Sequence, residues 1–251
     1  SFLQKHLPLN RGVRVLGVSA AGLVALEKPC EVKTHPNSSA ADKTALLNAH
    51  YDLKQERYHW KNPPTAPEDA PSALWILNRL DSPTSGVVMA ALNASAAQAG
   101  RACFEKATAE KIYYALVRGA PRPPKGLWKD RLNREKKEGT VRVTQGGIME
   151  ALCEYVVKEV SKKFPGLCLL RLKPLTGRTH QLRVQCAAHG HPILGDRSYG
   201  DFSWNKQLAK TSAQRRLFLH CAATRLSIKT PTGIDTLTAE SPLPGSFTQM
   251  Q

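Results

Sequence analysis

Apolar and polar positions alternate over several short stretches of this chain and recur at helical spacing over others, and these two rhythms predict its elements. Residues 13–27, VRVLGVSAAGLVALE, hold two apolar runs about Ser19-Ala20-Ala21-Gly22, which predicts a strand, a turn and a second strand. In ALWILNRLDSPTSGVVMAAL, residues 73–92, two more apolar runs flank Asp81-Ser82-Pro83-Thr84-Ser85-Gly86 and place the aspartate at the mouth of a strand-loop-strand unit. KIYYALVR at 111–118, Ala151–Val160 and Leu167–Leu172 have the aromatic and branched content of strands. The stretch 217–240, LFLHCAATRLSIKTPTGIDTLTAE, reads as a hairpin about Pro231-Thr232-Gly233.

Helical spacing is clearest over Asn93–Thr108, which is alanine-rich with Asn93 placed to cap it. A second helix is predicted over residues 40–57, where Leu46, Leu47, His50, Tyr51 and Leu53 make a rough apolar stripe. A third is predicted over His180–Ala188, after a turn at Gly177 and with Thr179 as its cap. Two proline-rich stretches, KNPPTAPEDAPS at 61–72 and the one opening at Arg122, predict exposed loops, the first being the clearest internal break. Strands dominate with few helices between them, an α+β pattern.

At 251 residues and 41% hydrophobic, the chain is long enough to bury a substantial core, as one domain or as two lobes. No run of about eighteen apolar residues appears, so no membrane partner is expected. Charge changes the picture more: 36 Lys and Arg against 20 Asp and Glu give +16, which points to a polyanionic partner. The excess concentrates in Arg122–Arg142, eight basic residues against three acidic ones, read as a basic loop. The six cysteines, at 30, 103, 153, 168, 186 and 221, include no CxxC pair and are expected to be reduced and mostly buried. Cys186, His189 and His191 lack a second cluster to complete a metal site, so no metal is expected. Basicity without a secretion signal is compatible with mitochondria, cytosol or nucleus, and a mitochondrial location is favoured.

The densest polar stretch is TGRTHQLRVQCAAHGHPILG, Thr176–Gly195, with two arginines, three histidines and a turn glycine. Polar groups packed so closely must be solvated, paired or holding a ligand. Asp81, lying before Ser-Pro, can be a turn former or a nucleophile. Tyr113 and Tyr114 face opposite sides of a strand, which leaves one for the core and one for a site. Arg178 and Arg183 can pair with surface acids or serve that site.

Together and in this order, NRLDSPTSG, KIYYALV and TGRTHQLRVQCAAHGHPILGDRSYG resemble three signatures of the RluA-type pseudouridine synthases. Weaker similarity in LVALEKPCEVKTHPN and LTAESPLPGSF extends the resemblance over residues 13–247. It implies a single catalytic domain over 1–251, a mixed and mainly antiparallel sheet with a central catalytic cleft flanked by helices and loops. No separate N-terminal RNA-binding domain is expected before Arg11. The implied reaction isomerises uridine in structured RNA, ribosomal RNA favoured, with a ribosomal precursor particle as a possible partner and no cofactor.

By the same resemblance Asp81 is the nucleophile, Tyr113 packs on the target base and serves as a proton acceptor, and Arg183 ion-pairs with the nucleophile. Arg79 is implied to brace the gap left by an extruded nucleotide, and Arg178, His180 and Gln181 to contact phosphate or base. Asn78 and Gln185 stand where the family usually or often has histidine, and Cys30-Glu31 replaces its usual Ala-Gly. Those departures keep open an alternative, a non-catalytic RNA-binding or ribosome-assembly factor on the same fold.

Overall fold

A computed structural model describes residues 2–137, 140–212 and 215–250. The chain forms two compact units, Ser1–Glu110 with Ala223–Ser241 and Lys111–Ala222 with Pro242–Gln251. In the first, the short helix α1 (Phe2–His6) precedes β1 (Arg14–Val18), which pairs antiparallel with β2 (Leu23–Lys28) across the turn that Gly22 makes at φ 91°. The expected strand-turn-strand is therefore formed.

The helix expected over 40–57 is not. That stretch holds turns and a small hairpin, β3 (His50–Asp52) with β4 (Arg57–His59). Two side-chain-capped turns explain it: Asp42 Oδ1 accepts from Thr44 N at 2.7 Å, and Asp52 Oδ1 accepts from Lys54 N and Gln55 N at 2.9 and 3.0 Å. Between them the backbone bonds outward to distant partners, Asn10 N to Leu46 O and Lys33 N to Thr44 O. Leu46, Leu47 and Tyr51 are buried as a helical stripe would demand, but Leu53 is 53% exposed. Tertiary hydrogen bonding has overridden a weak helical rhythm.

The loop 61–72 follows as expected, leading to β5 (Ala73–Ile76) and β6 (Ser85–Ala91). All seven residues of β6 are buried, and β6 pairs with both β5 and β2, so it forms the middle of this unit. Helix α2 (Ala94–Glu105) is capped by Asn93, whose side chain accepts from Ala96 N at 2.8 Å. Gly100 lets the helix come close: a Cβ there would lie 2.7 Å from Leu77 Cδ1.

In the second unit, β7 (Glu110–Arg118), β8 (Lys125–Lys137), β9 (Thr140–Gln145), β10 (Met149–Val160) and β11 (Leu167–Pro174) lie in the order β7-β11-β10-β8-β9, all pairs antiparallel. The basic segment expected to be a loop is thus mostly the hairpin β8–β9; its Glu138 and Gly139 lie outside the described residues. Along β8 Trp128 and Leu132 turn inward and Lys125, Lys129 and Arg131 outward, which is strand alternation with charge on the solvent face. Helix α3 (Gln181–Ala188) packs Val184 against Leu132, Val143 and Ala151.

Helix α4 (Phe202–Ser212) leads to β12 (Leu219–Thr230), which turns into β13 (Gly233–Glu240) in register from Thr230↔Gly233 to Ala223↔Glu240, the expected hairpin. Helix α5 (Gly245–Thr248) buries Phe247 edge-on against Phe218, ring centroids 5.3 Å apart. The fold is α+β with a mainly antiparallel sheet.

Candidate active site

Asp81 sits in the loop that joins β5 to β6, half-buried, and the loop is held from both sides. Before it, Thr34 Oγ1 donates to Leu80 O at 2.9 Å and accepts from Leu80 N at 3.1 Å, bracketing the residue next to the aspartate. After it, the fully buried Lys28 donates to Ser82 O at 2.8 Å as well as to Val32 O and Pro29 O. Cys30 Sγ donates to Pro83 O at 3.1 Å, and Thr84 N closes the turn onto Asp81 O at 2.9 Å. An ammonium carries three donors and no acceptor, so a nest of three carbonyls satisfies it when buried. Lys28 comes to the loop from the end of β2, where it pairs with Gly86 at the start of β6. The loop backbone is therefore fixed independently of any ligand.

Asn78, one of the departures from the family pattern, uses Oδ1 to accept from Met89 N at 2.7 Å and so ties the loop to β6. Arg79 is exposed, and its Nη1 approaches Glu56 Oε1 to 4.0 Å, a surface pair of little energetic weight.

In the second unit, Tyr113 lies on β7 opposite Leu172 and is the more buried of the two tyrosines. It shares a strand face with Lys111, two residues away. Burial lowers the Lys111 ammonium below the ordinary lysine value, although the Cys221 and Cys153 thiols oppose that shift. Lys111 Nζ reaches the Gly177 turn, 3.6 Å from where a Cβ would stand.

That turn leads into α3, but not as the sequence suggests. The cap position is His180, in the left-handed region at φ 52°, with no side-chain cap bond, and Thr179 does not take it. A non-glycine residue held there is strained and persists only where its surroundings fix it. Here His180 Nδ1 lies 2.8 Å from the Tyr199 hydroxyl, which also accepts from Val143 N at 3.0 Å.

Gln181 is buried: Oε1 accepts from Thr176 Oγ1 and Arg178 N, and Nε2 donates to Leu152 O and to Gln185 Oε1. It braces the turn from within, a different task from the RNA contact the resemblance implies. Gln185, the other departure, is fully buried and donates to Asp130 Oδ2 at 2.7 Å and Ala151 O at 3.1 Å. Arg178 is exposed, and its Nε donates to Glu150 O at 3.0 Å.

Arg183, in the first turn of α3, is buried and bonded by a fork to Asp196, Nε to Oδ2 at 2.8 Å and Nη2 to Oδ1 at 2.9 Å. Its guanidinium carbon also lies 5.1 Å from the centre of the Tyr199 ring. Burial alone would raise the Asp196 carboxyl, but the Arg183 hydrogen bonds and charge, with the Ser198 and Tyr199 N–H groups, outweigh it and hold the pKa below the usual 3.8. Reasoning from sequence missed Asp196, Tyr199, Lys28, Thr34 and Lys111, although GDRSYG lies within the third signature and Lys28 within LEKPC.

The buried cysteines carry no chemistry of their own. Burial pushes Cys153 up to about 12 and Cys168 to about 11, so both stay as thiols near neutral pH. Among the described residues no group of three His, Cys, Asp or Glu is placed to hold a metal ion.

A sequence profile of the family described as RNA pseudouridylate synthase matches residues 22–188. RNA pseudouridylate synthase domain-containing protein 1 of Homo sapiens is 31% identical over 212 residues, 74% of this chain and 64% of that protein. A solved structure of that human protein superposes with a TM-score of 0.66 at 25% identity, covering 94% of this chain and 87% of the other. The tRNA pseudouridine synthase C of Vibrio parahaemolyticus is 36% identical over 161 residues, 59% of this chain and 64% of that protein. The ribosomal large subunit pseudouridine synthase D of Borreliella burgdorferi is 33% identical over 183 residues, 72% of this chain and 52% of that protein. The chain thus spans between about half and two thirds of the length of these curated relatives. On the profile, the sequence relatives and the shared fold, the chain belongs to the RNA pseudouridylate synthase family.

Proposed function

We propose that this protein converts uridine to pseudouridine in structured RNA, and that the RNA is ribosomal. The observation that carries the reading is the Asp81 loop: a carboxylate on a turn whose flanking residues are fixed by Lys28, Cys30 and Thr34, in a chain of this family. A nucleophile gains from being aimed before substrate arrives, because no ordering is then left to the reaction step.

In this reading the target nucleotide is extruded from the RNA, at a cost of a few kcal/mol. The Asp81 carboxylate attacks it, the bond from C1′ to N1 breaks, and the freed uracil turns. A bond from C1′ to C5 replaces the lost one, the bond between Asp81 and the nucleotide breaks with its electron pair returning to the carboxylate, the C5 proton leaves with Tyr113 as acceptor, and N1 gains a proton. Substrate and product are isomers, so the step needs no oxidant or reductant. Arg183 is the cationic partner proposed for the nucleophile, and Arg79, Arg178 and His180 contact the RNA. Both departures from the family pattern, Asn78 and Gln185, are engaged in internal hydrogen bonds that brace the fold. A ribosomal target is supported by the name of the Borreliella relative, while the Vibrio relative is named for tRNA.

Asp81→Asn keeps the shape of the side chain and removes its nucleophilicity. Pseudouridine mapped across cellular RNA is expected to vanish from its site in cells carrying only this variant, with RNA affinity within about threefold of wild type. An unchanged map would leave the non-catalytic RNA-binding reading in its place, and loss at a tRNA site would move the substrate class.

A further inference from the structure

Accepting the catalytic role of Arg183 proposed above, we infer that Asp196 is a positioning residue for Arg183, fixing the direction in which its guanidinium acts. Arginine has a long side chain with many rotamers, so an arginine that must present one edge needs to be held by something. Asp196 takes the Nε and Nη2 edge with both carboxylate oxygens, which fixes the guanidinium in its own plane. The Tyr199 ring, 5.1 Å away, fixes its face. Each restraint is itself held.

The carboxylate accepts from Ser198 N at 2.8 Å and Tyr199 N at 3.0 Å, and the Tyr199 hydroxyl meets Val143 N and His180 Nδ1. The Asp196 backbone is locked as well: Asn205 Nδ2 donates to Asp196 O at 3.2 Å while Asn205 Oδ1 accepts from Gly195 N at 2.9 Å. A Cβ on Gly195, at φ 77°, would stand 1.8 Å from Arg216 O, and one on Gly200 2.3 Å from Asp196 O, so the segment follows a path that only glycine permits at both points.

A buried ion pair that only satisfied its own charges would not require this second layer, and pairs of that kind can be replaced by apolar groups without harm. The two roles separate in kinetics. In a folded Asp196→Asn variant of this chain, assayed on the RNA that the wild type modifies, kcat is expected to fall by about ten- to a hundredfold with KM within about threefold. In an Arg183→Lys background, where no fork can form, the same change is expected to cost less than about threefold more, because residues acting through one another are not additive.

A wild-type kcat in folded Asp196→Asn, or an equal loss in both backgrounds, overturns the inference. Should circular dichroism show that Asp196→Asn does not fold, Asp196→Glu keeps the charge and moves the carboxylate by one methylene. A lowered kcat at unchanged KM then supports positioning, and an unchanged kcat refutes it. Failure of the underlying reading looks different: Arg183→Lys alone would retain full turnover, or Asp81→Asn would remain active.

Discussion

At the scale of single residues, the buried charges of Lys28, Arg183 and Asp196 are matched by specific partners, and for Asp196 the match has a pH signature. Asp196 is held below its ordinary pKa of 3.8 by the balance of burial against Arg183 and two backbone N–H groups. A carboxylate depressed in this way stabilises the folded state fully above the unfolded pKa and loses that contribution as pH falls through the folded one. The stability gap between wild type and Asp196→Asn, measured by urea unfolding, is therefore expected to be largest near neutral pH and to close as pH drops below about 4. A gap that stays constant from pH 7 to pH 3 would show that the charge of Asp196 is not what stabilises.

Those partners also mark where the site was legible. Asp81, Tyr113 and Arg183 stood out because motifs quote them. What holds them did not, because Lys28 reaches Ser82 across 54 positions and Thr34 reaches Leu80 across 46. No local pattern encodes such contacts. Gln181 shows the converse: a polar residue inside a functional motif whose amide is engaged inward.

At the scale of elements, sequence rhythm succeeded where a face is apolar and a boundary is chemically marked. Helix α2 is the clearest case, with Asn93 capping Ala96 N and donating from Nδ2 to Ala21 O at 3.0 Å, so that one side chain starts the helix and ties it to the β1–β2 turn. Asn93→Ala is expected to destabilise the protein by about 1–2 kcal/mol, the cost of a cap, read as a lower urea midpoint at unchanged m. A change below about 0.3 kcal/mol would show that water replaces the cap. The rhythm failed where charge or capped turns obscured it. In 40–57 the aspartates at 42 and 52 break a stripe that looked helical. In β8 the inward position of Asp130 hides the alternation, since its carboxylate accepts from Gln145, Gln185 and His189.

At the scale of the whole molecule, a net charge of +16 fits a polyanionic partner. On the outer face of β8, Lys125, Lys129 and Arg131 are exposed on one side of the strand with Leu127 between the first two, a row that a strand spaces at about 6.8 Å for each two residues. Basic side chains near phosphates release counterions, so affinity for RNA should fall linearly in log salt with a slope of about −0.7 to −0.9 for each phosphate neutralised. Replacing Lys125, Lys129 and Arg131 together by Gln leaves the strand and its inward residues in place. The slope of log Kd against log salt is then expected to shrink by about 2–3, with affinity lost most at low salt and unfolding unchanged within about 0.5 kcal/mol. An unchanged slope would mean that the RNA lies on another face of the molecule and that this hairpin is charged for solubility alone.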